Sequence, residues 1–215
     1  MLFRSEVSEL RMEGNRVVGA RATRRGESTQ LAAKETVLCA GAIHSPALLL
    51  RSGIGDPEAL GAAGVTVRVD RPGVGQNLQN HVGVNLGLTL NVRYRQRPDL
   101  RHYGVACLRM SSNLPQGGAS DLLVALIGRT AMREIGRAIA LIGIFLYSPS
   151  ARGQVSLRRS GEALTTVIDF NLLDTESDRA RIAHGVQHVM RLLRSEDRKS
   201  TRLNFSHVSE SRMPS

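Results

Sequence analysis

The sequence predicts an α/β segment that gives way to an α+β segment. Three observations lead to that expectation. An apolar run, Thr36 to Ala40, passes straight into small residues and a capped helix signal. Beyond residue 82, alternating apolar runs follow one another with only turn residues between them. A single long amphipathic stretch, Asp178 to Leu193, places Ile182, Val186, Val189 and Leu193 on one helical face.

The elements follow in chain order. Phe3 to Met12 and Arg16 to Thr23 read as two strands, with Glu13, Gly14 and Asn15 as the turn between them. Thr36 to Ala40 (TVLCA) is expected to be a short strand buried on both faces. Ser45 and Pro46 stand where an N-cap and a first-turn proline belong, so a helix is expected over Ala47 to Arg51, stopped by Ser52 and Gly53. Asp56 and Pro57 repeat that signal for a second helix, which Gly64 closes. Val65 to Val69 alternates as a strand. Arg71 to His81 (RPGVGQNLQNH) is too rich in Gly, Pro and Asn for regular structure. Val84 to Leu90, Val105 to Met110 and Asp121 to Ile127 read as strands, while Ala138 to Tyr147 fits a buried strand or a helix. Gln154 to Arg158 and Thr165 to Phe170 flank a turn at Ser160 and Gly161. No internal repeat is present.

Composition narrows the function classes. The 215 residues carry a net charge of +10, and Lys34 and Lys199 are the only lysines among 29 basic residues. The arginines are scattered and aromatics make up only 3%, so the charge reads as a solvated surface, not a nucleic-acid stripe. The longest apolar run, Ala138 to Tyr147, is about half of the ~20 residues a membrane span needs. The first residues lack the apolar stretch of a secretory signal. Cytoplasmic placement is the default expectation only, since the true N-terminus is expected to lie upstream of Met1. Cys39 and Cys107 make no disulfide framework and no metal-ligand spacing. Cys39, at the end of the apolar run, is expected to be a small buried hydrophobe. His184 and His188 lie four apart on the long helix without the glutamate of a metalloprotease motif, and read as surface residues.

The two ends set expectations of their own. From Asp197 the chain reads DRKSTRLNFSHVSESRMPS, which resembles one reading frame of a common short-read sequencing adaptor. Natural sequence is then expected to stop at Glu196, with 197–215 a non-native disordered tail. A hairpin starting at the first residues suggests an interior start, so a piece of a longer protein is expected. The alternative is a genuine truncated chain acting as a non-catalytic interaction or structural module.

Gly41 to Gly55 reads GAIHSPALLLRSGIG. It resembles the second signature of the glucose–methanol–choline (GMC) oxidoreductases, flavoenzymes that use FAD to oxidise alcohols. Gly41, Ala42, Ser45, Pro46, Leu48, Leu49, Ser52, Gly53, Ile54 and Gly55 all fit its constrained positions. VSELRMEGNRVVGARA, KETVLCAGAIHSP, PGVGQNLQNH, SPSARGQVSLRRSG and FNLLDTESD are similar to family segments in the same order, so the resemblance covers nearly all of residues 1–196.

The resemblance implies a partial, Rossmann-like FAD-binding domain over 1–82 and a partial substrate-binding domain over 83–196, with a mainly antiparallel sheet flanked by helices. It implies that Val7 lies near the adenine through its backbone. Ala40 and Gly41 would line the adenine–ribose and pyrophosphate region, with Ala42 and Ser45 completing that wall. The loop holding Gly73, Gly75, Asn77 and Leu78 would pass near the flavin. Small residues at a helix start are what close approach of a pyrophosphate needs. The implied substrate is a small alcohol whose hydride passes to the flavin. No nucleic-acid partner and no metal are expected, on the charge pattern and ligand spacing above. The family's catalytic base maps to neither His44 nor His81, so no catalytic residue is expected in this sequence. The family's G-x-G-x-x-G fingerprint is absent from it too. Asn80 stands where the family usually has Asp. Residues 1–196 alone are therefore expected to bind FAD weakly or not at all and to lack activity.

Overall fold

The computed structural model describes residues 5–100 and 102–194. The adaptor-like segment 197–215 lies outside the described residues. In chain order the elements are β1 (Glu6–Glu13), β2 (Arg16–Arg24), β3 (Glu27–Ala32), α1 (Gly41–Arg51), β4 (Ile54–Gly55), α2 (Pro57–Ala62), β5 (Val69–Asp70), β6 (Val82–Thr89), β7 (Gly104–Met110), β8 (Leu122–Ile127), α3 (Glu134–Arg137), β9 (Ile139–Leu146), β10 (Gln154–Ser160), β11 (Ala163–Asp169) and α4 (Glu176–Arg194). The class is mixed α/β with mainly antiparallel sheets. Among the described residues no helix is long and apolar enough to cross a membrane.

Two compact units share the chain. One draws its described residues from Met1–Gln79 and Arg152–Asn171, the other from Asn80–Ala151 and Leu172–Ser215. The β10–β11 hairpin thus packs with the first unit, although the sequence pattern treats 83–196 as one piece.

In the first unit β1, β2 and β3 form an antiparallel sheet in sequence order. Ser52, at the end of α1, ties that sheet to the helix. Its buried hydroxyl accepts from the Leu10 N–H at 2.8 Å and donates to the Leu48 carbonyl at 2.7 Å. Leu10 and Leu48 are buried with it. Asp56 caps α2 by accepting from the Ala59 N–H at 3.2 Å, with Pro57 at the first helical position.

The second unit is a four-stranded sheet in the order β6-β9-β8-β7, covered by α4. Ala138 to Tyr147 resolves as strand: β9 is a central strand whose both edges are paired, which suits an apolar run without alternation. Val189 and Leu193 of α4 pack on Leu88, Ala140, Ile142 and Ile144, while Ile182 packs on Val82, Leu122 and Leu146. Each buried Val, Leu or Ile here contributes about 1.5–3 kcal/mol. A polar network lies beneath the same helix. Arg181 is 1% exposed and Asp178 and Asp121 are as deeply buried. The Arg181 guanidinium pairs with Asp178 and lies 3.6 Å from Asp121. Asp178 also accepts from the backbone N–H groups of Ser150 and Ala151 at 2.8–3.0 Å, which holds the turn before β10.

Several local expectations are corrected. Thr36 to Ala40 is neither a strand nor buried; Val37 is 76% exposed. A strand needs a neighbour for its N–H and C=O groups, and no strand among the described residues pairs with this segment. Cys39, inside it, is exposed rather than buried. The first helix starts at Gly41, not Ala47, and Ser45 is not its N-cap. Of the expected Val65 to Val69 strand only Val69 is in a strand; with Asp70 it forms a short parallel pair with Ile54 and Gly55. The polar strand β3 was not expected, because ESTQLA carries no apolar alternation.

Candidate functional site

The first unit holds a cleft of about 480 Å³ bordered by the start of α1 and the 71–81 loop. Ala42, Ser45, Pro46 and Leu49 supply the helix side, Gly73 to Gln79 the loop side, and Val155 of β10 a third edge.

The helix side follows from local chemistry. Gly41 opens α1 with φ +81°, a region that a side chain disfavours. A Cβ there would meet nothing within 4 Å, so the surface above it is open. Ser45 works backward: its hydroxyl accepts from the Ala40 N–H at 3.1 Å. The helix carries no side-chain cap at its own N-cap, and its first turn has no acidic residue. Pro46 lies inside the helix and lacks an N–H to donate back to the preceding turn. The N-terminal end of α1 therefore presents partial positive charge and small side chains.

The loop side is pinned by backbone bonds. Leu78 and Gly153 exchange N–H···O bonds of 2.9 and 2.8 Å, and Val155 donates to the Gly75 carbonyl at 2.7 Å. Leu78 is buried against Ala47 and Val155. Gly75 has φ +84°, and a Cβ on it would lie 2.1 Å from the Val155 carbonyl oxygen, so only glycine permits this docking. Asn77 takes the left-handed conformation at φ +60° and stays exposed.

Of the residues singled out from sequence, Ala42, Ser45 and Asn77 line this one cleft. Ala40 and Gly41 stand exposed just ahead of it at the helix start. Val7 is placed elsewhere, on β1 opposite Ala22, next to a bulge and 39% exposed. His44 is exposed on α1. His81 belongs to the second unit, where its ring stacks on Tyr147 at 4.7 Å and its Nδ1 lies 3.3 Å from the Leu146 carbonyl oxygen. Asn80 is exposed, and His184 and His188 are half-buried on α4. Sequence reasoning missed Val155 as a wall of the cleft. Its only signal was its place in an alternating strand after SPSARG.

Among the described residues one titratable group departs clearly from its ordinary value. Burial pushes the Asp178 carboxyl up, but the N–H groups of Ser150 and Ala151 and the Arg181 guanidinium outweigh that and hold it below the usual carboxylate value. This group supports the second unit and lines no part of the cleft.

Comparison with known proteins bears on the same region. Residues 2–83 match the family model described as GMC oxidoreductase. The chain is 33% identical over 188 residues to the 5-(hydroxymethyl)furfural oxidase of Methylovorus sp. (strain MP688), covering 86% of this chain and 34% of that protein. It is 35% identical over 117 residues to the oxygen-dependent choline dehydrogenase of Staphylococcus xylosus, covering 54% of this chain and 21% of that one. The crystal structure of pyridoxine 4-oxidase from Mesorbium loti matches with a TM-score of 0.73 and 28% identity, over 90% of this chain and 39% of that one. The chain spans about a third or less of the length of these curated relatives.

Proposed function

This chain belongs to the GMC oxidoreductase family, and from that premise we propose that its first unit forms part of an FAD site in an enzyme oxidising the CH–OH group of a small alcohol. The observation that carries this reading is the cleft. It joins the uncapped start of α1 to the pinned glycine-rich loop, within the stretch that matches the family. The residues fit a dinucleotide: Ala42 and Ser45 are small, the space above Gly41 is open, and among the described residues no acidic side chain lines the cleft.

In this reading the N–H groups at the start of α1 face the pyrophosphate. Ala40 and Gly41 border the adenine-side ribose, and Val7 reaches the adenine through its backbone. Asn77 and its loop stand on the flavin side. Bound FAD supplies the hydride acceptor. The chain's own contribution is binding and orientation, and none of its residues is assigned the proton of the alcohol. The second unit, with its antiparallel sheet, serves as part of the substrate-binding domain.

A chimera tests this. Residues 1–83 of this chain replace the matching segment of the furfural oxidase relative, and flavin content is measured after purification. A folded product with flavin at parity with the parent supports the reading. A folded, colourless product contradicts it. The chain alone is expected to bind FAD weakly or not at all.

A further inference from the structure

Leu78 and Gly153 pair as an isolated antiparallel bridge. That pairing sets the residue after Leu78, Gln79, opposite the residue before Gly153, Arg152. Their side chains meet. With the amide turned so that acceptor faces donor, the Gln79 Oε1 accepts from Arg152 Nη1 at 2.6 Å, Nη2 at 2.8 Å and Nε at 3.2 Å. The opposite orientation would set amide N–H groups against guanidinium N–H groups, donor against donor. The Arg152 main chain is held in turn by Asn171, whose Nδ2 donates to its carbonyl at 2.9 Å. All three residues belong to the first unit.

A guanidinium carries donors only and stays ionised at any ordinary pH. It claims the amide oxygen with charge-assisted hydrogen bonds, which are roughly twice as strong as neutral ones. A glutamine ordinarily offers both an acceptor and donors. Clamped in this way, Gln79 offers its two amide N–H groups to the cleft that it lines. Its side chain is exposed, so a bound molecule can reach it. The group it suits is an acceptor, and hydrogen bonds to a flavin ring are one of the means by which a protein tunes that cofactor.

We propose that Gln79 donates an amide N–H to an acceptor of the flavin ring, and that Arg152 is the positioning residue that fixes the amide for this. The inference rests on the flavin reading of the cleft and assigns the loop side a task beyond enclosure. A donor at a ring acceptor favours the electron-rich, reduced ring, so the pair raises the flavin potential.

The test uses a second chimera, in which residues 5–194 of this chain replace the matching segment of the furfural oxidase relative. The midpoint potential of the bound flavin is read alongside flavin content and Tm. Gln79→Leu removes the donors. Gln79→Glu also removes them but pairs with Arg152 more strongly, so its Tm should hold. Both are expected to lower the potential by about 30 mV, the shift that a tenfold change makes in a two-electron couple. Arg152→Met frees the amide to rotate and should lower the potential by a smaller amount, and Arg152→Lys, which still donates to Oε1, should restore part of it. A contact that served the fold alone would move Tm and leave the potential where it was. A potential unchanged in both Gln79 variants therefore overturns the proposal while the flavin reading stands. A parent potential in Arg152→Met overturns the positioning role. A folded, colourless parent chimera overturns both the proposal and the flavin reading.

Discussion

Val155 donates its backbone N–H to the Gly75 carbonyl at 2.7 Å, and the two residues approach so closely that a Cβ on Gly75 would lie 2.1 Å from the Val155 carbonyl oxygen. This contact sets the loop wall of the cleft against β10. Gly75→Ala is expected to cost about 2–3 kcal/mol, from the φ of +84° and from the clash together. Gly73→Ala is the control, because a Cβ there meets nothing within 4 Å. Denaturant unfolding should show a large loss for the first variant and little change for the second. Equal losses would remove the argument for close docking.

Ser52 is the hinge pin between α1 and β1. Its hydroxyl is the acceptor for the buried Leu10 N–H at 2.8 Å. Ser52→Ala leaves that N–H unpaired and is expected to cost about 1–3 kcal/mol. Hydrogen exchange at Leu10 should accelerate more than at residues along β2. An unchanged Leu10 rate would show that the bond carries no protection.

Asp178 couples α4 to the turn before β10. Removing its charge leaves Arg181 with only the Asp121 carboxylate at 3.6 Å, so Asp178→Asn is expected to cost about 3 kcal/mol. The pH dependence has a definite sign. The folded carboxyl titrates below the ordinary value of 3.8, so the unfolded chain binds more protons as pH falls. Its stabilisation is present above about pH 4, and it drains away as pH drops through the folded pKa. Acid unfolding of the parent should therefore be steeper in that window than that of Asp178→Asn. Parallel acid curves would refute this.

Both cysteines are exposed among the described residues. A colorimetric thiol reagent should titrate Cys39 and Cys107 in the native chain without denaturant. Protection of Cys39 would mean that the 36–40 segment is covered in solution.

Much of this was legible in residue punctuation. Asp56, Pro57 and Gly64 marked α2 because a cap, a fixed φ and a left-handed stop are local effects. Ile182, Val186, Val189 and Leu193 marked the buried face of α4 because one helix meets one sheet. What failed was non-local. Thr36 to Ala40 has strand composition but lacks a pairing partner among the described residues, and Val37, Cys39 and Ala40 stay exposed. The β3 strand is polar, and pairing with β2 makes it a strand. Within the cleft, the small residues of the α1 start were readable. The wall supplied by Val155 was not, since only the fold brings residue 155 to residue 75.

The most direct test of the flavin reading is flavin content in the chimera carrying Ala42→Asp. An acidic residue in the first turn of α1 favours the helix by about 0.3–1 kcal/mol, so the fold should hold or gain stability. The same charge opposes a pyrophosphate at that helix start. The account predicts a chimera with undiminished Tm in the flavin-free form and most of its flavin lost. Flavin retained at parity with the unsubstituted chimera would contradict it.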